Sequence, residues 1–522
     1  MSFNSIFKPE NTLGKRLLLP IFAIGIILRL YKWNGYSFWF DEVNCLMISR
    51  GKLFVSLQST VAIFKPPLFR FLAYFWAYIG QDEFRLRLLP FIFGILSILF
   101  TYKVAKIMFD EKTGLIASFL ISLSPFHIYY SQEFTHYTLT VFLALCSIYY
   151  LVQSLEKNNI YSWLKFIFFT SLSLYANYIS LLFLIAENLF FFFSYTKYKK
   201  LIKGWLLSQS AILLLYSPWL TKMSIQFSIL RLDYYRPYVD WIPEGSLAYI
   251  LQALKIFNAG YNANFIIQSL VLLLFFPLLL IGIFSSFKKD ITKTRLLVFW
   301  IFIPMLLAII FSRIAHSFSY RNFIFALPAY YILIALGIMK IKKYIYIPVI
   351  FYIILSGASL FNYYRNIFPY PEKFFRPGVH AKKDNRGATK YIISNFKKGD
   401  IIMHTCRSTV LPYVYYLIIF NYNNIIYPRD FIYSLVDLSI NKEYLAHYDW
   451  ESHFLVDREY KIAGFIKADN KRIWLIFSAW EPQQLALAPE NKVKRWFDNN
   501  LKVIDYKKFT GIDVYLYEKL NN

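Results

Sequence analysis

Acidic residues are scarce in this chain, 31 against 57 lysines and arginines, and the formal charge is +26 over 522 residues. In a soluble protein that surplus would point to nucleic acid. Here many of the cations sit in short loops between apolar runs, which is the positive-inside pattern of a membrane protein, and no nucleic-acid partner is expected. Cysteine is nearly absent. Cys45, Cys146 and Cys406 lie far apart, without metal-site spacing, so a disulfide framework is not expected. No Walker A loop, Gly-rich dinucleotide loop or nucleophile elbow occurs, so nothing points to a cytoplasmic nucleotide. None of the standard zincin spacings occurs either, although the residues leave a divalent metal open. Internal repeats and low-complexity segments are missing as well.

What the chain has in abundance is apolar surface. Hydrophobic residues make up 57% and aromatics 21% of it, with a mean hydropathy of +0.41. Runs of about 20 apolar residues read as membrane-spanning helices. About eleven are expected, near 14–31, 86–105, 113–130, 134–153, 161–176, 178–196, 204–220, 264–286, 295–312, 321–339 and 343–361. The nearly continuous run 166–195 is broken at Ala176-Asn177-Tyr178. The first run ends in Arg29-Leu-Tyr-Lys-Trp33 without a small-residue cleavage site, so it reads as a span rather than a signal peptide.

The basic loops, such as Lys197 to Lys203 and Lys288 to Arg295, then face the cytoplasm together with the N-terminus. Asp41-Glu42, Ser124 to Tyr137, the 221–263 loop and Ser312 to Arg321 face outside. Within the first outer loop, 32–85, Lys65 to Ile79 reads as an interfacial helix opened by two prolines. Residues 1–362 thus read as a polytopic α-helical membrane domain. Beyond them charge becomes dense, and 363–522 reads as a soluble α/β domain on the outer side. Its expected elements are a helix at Gly387–Phe396, buried strands at Asp400–His404 and Arg472–Phe477, and an alternating strand at Gly511–Tyr517.

The unusual polar residues all fall on one side. Ionisable groups at membrane depth are costly and mark function by default. Asp41 and Glu42 follow Trp39-Phe40, an apolar rim of the kind that raises a carboxylate's proton affinity, so the pair is a candidate general base. Lys65, Arg87, Arg313, His316 and Arg321 run against the positive-inside trend. They therefore want an anionic partner, for which a lipid phosphate is the natural choice. In Ser124-Pro-Phe-His-Ile-Tyr-Tyr-Ser-Gln-Glu-Phe-Thr-His-Tyr137, Glu133 and His136 share a helical face. Glu187 lies inside a span, away from these groups, and reads as a helix–helix contact.

Taken together, several motifs resemble the integral-membrane glycosyltransferases of the GT-C fold. They are the outer-loop acid pair, Lys65-Pro-Pro-Leu68, Arg87-Leu-Leu-Pro90, the Ser124–Glu133 block and Tyr320-Arg-Asn-Phe-Ile-Phe-Ala-Leu-Pro-Ala329. The likeness is to the dolichyl-phosphate-mannose protein mannosyltransferase and aminoarabinose-transferase group. It implies a polyprenyl-phosphate sugar as donor, a hydroxyl on a lipid, glycan or protein as acceptor, and inversion by direct displacement at the outer face of the cell membrane. It makes Asp41, with Glu42 beside it, the catalytic acid pair, and Lys65, Arg87 and Arg321 the donor-phosphate groups. Gln132, Glu133, His136, His316 and Tyr320 are then expected to bind substrate. Thr135 stands where the group often has arginine. The competing reading is a transporter or flippase of a lipid-linked glycan, for which repeat symmetry and midplane charges on both halves are expected.

Overall fold

The computed structural model describes residues 12–49, 65–230, 245–313, 318–369, 379–420, 472–479 and 492–519. By contact the chain divides into two compact units. Met1–Tyr31, Phe64–Phe69 and Arg87–Val379 form the first; Lys32–Ile63, Arg70–Leu86 and His380–Asn522 form the second. The sequence draws its border at 362/363 and assigns 32–85 to the membrane part, whereas the units part at Val379/His380 and most of 32–85 clusters with the C-terminal chain. The cause is long-range hydrogen bonding that no local pattern encodes. Ser37 Oγ donates to Lys383 O at 2.5 Å, Phe38 N to Tyr416 Oη at 2.7 Å, and Asn385 Nδ2 to Phe38 O at 3.0 Å.

The first unit is helical and makes this a multi-pass membrane protein. Among the described residues six helices are long and apolar enough to cross a membrane, or seven if the bent pair Ile179–Phe193 and Tyr195–Gln226 counts as one span. That is fewer than the eleven expected, and the differences have local causes. Thr12–Leu30 carries Lys15, Arg16 and Arg29. Ile160–Ala176 has 17 residues. The expected span 113–130 breaks at Ser124-Pro125. Proline lacks an N–H and pushes the residue before it out of the helical region. Ser124 accordingly sits at φ −61°, ψ 116°, ending helix Glu111–Leu123 and capping helix Pro125–Ser131 through its side chain. The break at Asn177 is present, with that residue extended after Ala176.

Packing within the unit uses small residues and buried hydroxyls, as membrane helices do. A Cβ on Gly282 would run into the carbonyl of Leu333, and one on Gly337 into that of Leu278. Glycine at both positions is what lets helices Phe265–Lys289 and Leu327–Lys340 touch through backbone. Glu187 is buried at 1% exposure. It accepts from Ser147 Oγ at 2.8 Å, and Ser147 also meets Thr170 at 2.7 Å. This ties three helices together, the contact role the sequence gives it.

Among the described residues of the second unit, four strands form a sheet in the order β1-β2-β4-β3. β1 (Ile401–His404) runs parallel to β2 (Arg472–Phe477), while β4 (Ile512–Lys519) is antiparallel to both β2 and β3 (Leu501–Phe509). One face packs Ile392, Trp474, Val514 and Leu417; the other packs Leu475, Phe477, Phe497 and Tyr517. Helix Asn385–Asn395 and strands β1, β2 and β4 lie close to their expected places. β3 escaped the sequence reading. It is an edge strand, exposed from Lys502 to Lys508, and it bulges between Val503 and Asp505. Charge and irregularity are what protect a free edge from pairing.

His404 is fully buried in β1, with Nδ1 2.9 Å from Thr409 Oγ1. Burial lowers its pKa to about 3, against about 6.5 in an unfolded chain. The unfolded state therefore takes up a proton below about pH 6.5 that the folded state refuses. Folding stability is lost as pH falls through that window, by up to about 1.4 kcal/mol per unit. The thermal midpoint of the purified chain between pH 7 and 4.5 is expected to fall more steeply than that of His404→Asn. Equal slopes would contradict a neutral buried histidine.

Candidate active site

In the second unit the acid pair opens helix Phe40–Ser49. This helix is separate in the chain from helix Thr12–Leu30. It starts after Ser37–Trp39, which is neither helix nor strand. Glu42 is fully buried, and its Oε2 accepts from Trp39 N at 3.4 Å. That reach back from the third helical position to the cap residue is half of a capping box. Asp41, in the same first turn, is only half-buried. The two adjacent carboxylates thus have different surroundings, one holding the helix end and the other at its surface.

The segment before Asp41 is fixed by a second set of contacts. Tyr416 Oη, which accepts from Phe38 N, donates to Glu83 Oε1. Arg386 Nη1 meets Glu83 Oε2 at 3.0 Å. Tyr415 Oη donates to Gln81 O at 2.7 Å. The proton of Tyr416 is held well above the ordinary tyrosine range, by burial first and by the Glu83 carboxylate second. Neither Tyr416 nor Glu83 was singled out in the sequence, because nothing local distinguishes them.

In the first unit the Ser124–Glu133 block is wired around one guanidinium. Arg29 is fully buried, and all five of its N–H directions have acceptors. Nε donates to Ser131 Oγ at 3.2 Å. Nη1 donates to Gly25 O and Ser122 O, both at 2.9 Å. Nη2 donates to Ile121 O at 3.2 Å and lies 2.8 Å from His127 Nδ1. Gln132 closes the knot, with Nε2 donating to Arg29 O at 2.8 Å and Tyr31 O at 2.9 Å. Its Oε1 accepts from Tyr363 Oη at 2.7 Å. The amide expected to bind substrate is thus engaged with the end of helix Thr12–Leu30. The one sequence signal for this knot is Arg29, the single charge between Leu17 and Leu30.

From Gln132 an aromatic chain leads to Arg321. Tyr363 packs on Tyr129 at 5.4 Å, and Tyr129 hydrogen-bonds Glu133. Glu133 is buried. Tyr129 packs on Tyr130 at 5.0 Å. The Tyr130 hydroxyl lies 3.1 Å from that of Tyr261, and its ring lies 4.5 Å from Tyr137. The Tyr137 ring in turn stacks with His136 at 4.3 Å and faces the Arg321 guanidinium at 6.0 Å. Tyr320 is buried against Tyr249 and Phe318. Phe69 packs on Phe134 at 5.3 Å, which ties the Lys65 segment to the block. Lys65 is half-buried and Arg87 buried. Contacts between aromatic rings thus link the Gln132–Glu133 end of the block to Tyr137, which touches His136 and Arg321. His316 lies outside the described residues, as do 231–244 of the long loop. Among the described residues no three His, Cys, Asp or Glu side chains form a group that could hold a metal.

Comparison with known proteins bears on this arrangement. Residues 64–221 match the family model of dolichyl-phosphate-mannose-protein mannosyltransferase. No curated protein sequence matches the chain. Among solved structures, ArnT from Cupriavidus metallidurans in the apo state aligns at TM-score 0.56 and 11% identity, covering 97% of this chain and 98% of that one. The same protein bound to undecaprenyl phosphate aligns at TM-score 0.57 and 10% identity, covering 96% and 97%. The archaeal oligosaccharyltransferase AglB from Archaeoglobus fulgidus, in complex with an inhibitory peptide and a dolichol-phosphate, aligns at TM-score 0.50 and 13% identity, covering 97% of this chain and 74% of AglB. At such identities the likeness is one of fold.

Proposed function

We propose that this chain, whose fold is that of the GT-C integral-membrane glycosyltransferases, transfers a sugar from a polyprenyl-phosphate donor to an acceptor hydroxyl at the outer face of the cell membrane. The observation that carries the reading is an overlap. The family match begins at Phe64 and takes in Lys65, Arg87 and the whole Ser124–Glu133 block. Lys65, Arg87 and Glu133 are among the charged residues that the sequence reading places unexpectedly on the outer side.

The chemistry needs few parts. The anomeric carbon of a sugar phosphate is already activated, so the protein must supply a base for the acceptor hydroxyl and cations for the departing phosphate. Asp41 is the base. Lys65, Arg87 and Arg321 neutralise the phosphate as the C–O bond breaks, arginine offering a fork and lysine a point charge. The hydroxyl oxygen attacks from the face opposite the phosphate, its proton passes to Asp41, and the configuration inverts. Tyr137 lies under the Arg321 guanidinium, an aromatic face that orients a cation without quenching it. Arg321→Ala and Lys65→Ala are each expected to weaken polyprenyl-phosphate binding by about 10-fold or more, the order of one charge-assisted hydrogen bond. Titration of the carrier lipid into purified protein in nanodiscs measures this. Wild-type affinity in both variants would remove these residues from the donor site.

A further inference from the structure

Glu83 opens helix Glu83–Met108, belongs to the second unit and is 7% exposed. A carboxylate buried that far needs partners. It has two from the C-terminal part of the same unit. Arg386 Nη1 lies 3.0 Å from Oε2, and the buried Tyr416 hydroxyl donates to Oε1. Arg386 Nη2 also donates to Asn34 O at 3.3 Å. The phenol does a second thing. Its oxygen accepts from Phe38 N at 2.7 Å. A hydroxyl that donates to an anion becomes a better acceptor, because hydrogen bonds in a chain polarise one another.

This chain of bonds ends three residues before the proposed base. Phe38 is fully buried, its ring 5.3 Å from that of Tyr415. Trp39 follows as the cap residue, Phe40 opens the helix, and Asp41 is its second residue. Phe38 is held at both backbone groups, the N–H by Tyr416 and the carbonyl by Asn385 Nδ2 at 3.0 Å. Ser37 is held as well, donating to Lys383 O at 2.5 Å and accepting from Asn385 N at 3.0 Å. Where the chain enters a helix sets the direction of the first turn, and Asp41 stands on that turn. A general base must lie within hydrogen-bond reach of the proton it takes.

We infer that Tyr416 is a positioning residue for the proposed base: through Phe38 N it fixes the first turn of helix Phe40–Ser49, and with it the reach of the Asp41 carboxylate. The inference rests on the transferase reading for the role of Asp41, and on these hydrogen bonds alone for the tether. It gives the C-terminal part of the chain a share in the rate of transfer. Donor affinity is a separate matter, since Lys65, Arg87 and Arg321 belong to the first unit.

The test uses the purified full chain in nanodiscs, with labelled polyprenyl-phosphate sugars and an envelope extract. Tyr416→Phe removes one oxygen and keeps the ring beside Tyr415 and Phe420. It is expected to lower kcat by about tenfold or more, as a displaced catalytic group does, with the donor KM unchanged. Tyr517→Phe is the matched control, since it takes a buried ring's hydroxyl from Asp498; its kcat should stay that of wild type. In an Asp41→Asn background, Tyr416→Phe should slow transfer no further, because both act through one group. Hydrogen exchange of the amides of 38–43 should quicken in Tyr416→Phe while strand β2 keeps its protection. Wild-type kcat in Tyr416→Phe, the same slowing with and without Asp41, or unchanged exchange at 38–43 would overturn the inference. Full activity of Asp41→Asn would instead strike the base reading, and quickened exchange at 38–43 would then leave the tether standing.

Discussion

Asp41→Asn is expected to lower sugar transfer by about 10²–10⁴-fold, the range a positioned general base supplies. The neutral amide keeps the shape of the side chain but takes up no proton. Donor binding should survive, because the cations that neutralise the phosphate are elsewhere in the chain. Folding should survive too. Asp41 is half-buried in a first helical turn, where losing one negative charge costs about 0.3–1 kcal/mol. Glu42→Gln is the informative partner. Glutamine serves the reach back to the cap N–H as glutamate does, and Glu42 makes that contact through Oε2. Its effect on transfer should stay within about tenfold, below the base range. Turnover of single-round reactions with each variant, after matched yields in detergent, separates the two carboxylates. If Glu42→Gln were the inactive variant and Asp41→Asn the active one, the base would have to be reassigned.

Arg29→Ala is expected to abolish accumulation of folded protein. Removing the guanidinium strips donors from three backbone carbonyls, Ser131 and His127 at once. A single orphaned buried group costs about 1–3 kcal/mol, so several together approach the stability of an ordinary domain, about 5–15 kcal/mol. Gln132 would also lose its register, since it caps the backbone at Arg29 and Tyr31. Arg29→Lys should be intermediate, because an ammonium has three donors where five are used. Monodisperse yield and thermal midpoint in one detergent give the readout. A midpoint for Arg29→Ala within a few degrees of wild type would mean the knot is not what holds these helices.

How much of this was legible beforehand follows from the range of each interaction. Apolar periodicity is local, so helices such as Phe265–Lys289 and the strand Arg472–Phe477 stood out at nearly their final bounds. The caps at Ser124 and Asn177 show why two apolar runs break where they do, and Pro125 announces the first of them. What was not legible is the pairing of distant segments. No pattern in residues 32–49 says that Ser37 and Phe38 will be bonded to Lys383, Asn385 and Tyr416. For the same reason the contact-based division at Val379/His380 differs from the border at 362/363 read from composition. Chemistry-bearing residues were easier to find than their duties. The sequence marks the Ser124–Glu133 block as a site, yet His127 Nδ1, Ser131 Oγ and Gln132 Nε2 are engaged with Arg29 and its helix end. An odd polar block in a membrane helix signals one of two things, a ligand or another buried polar group, and only contacts separate them.

The proposed function stands or falls on the identity of the leaving group. The direct measurement is mass spectrometry of the lipid phase after incubating purified protein, in nanodiscs, with labelled polyprenyl-phosphate hexoses and pentoses and an envelope extract as acceptor source. Transfer predicts free polyprenyl phosphate and a labelled product of inverted configuration, both dependent on the extract and both lost in Asp41→Asn. Donor recovered intact, together with its movement across a vesicle bilayer, would contradict transfer and make the chain a carrier of lipid-linked sugars.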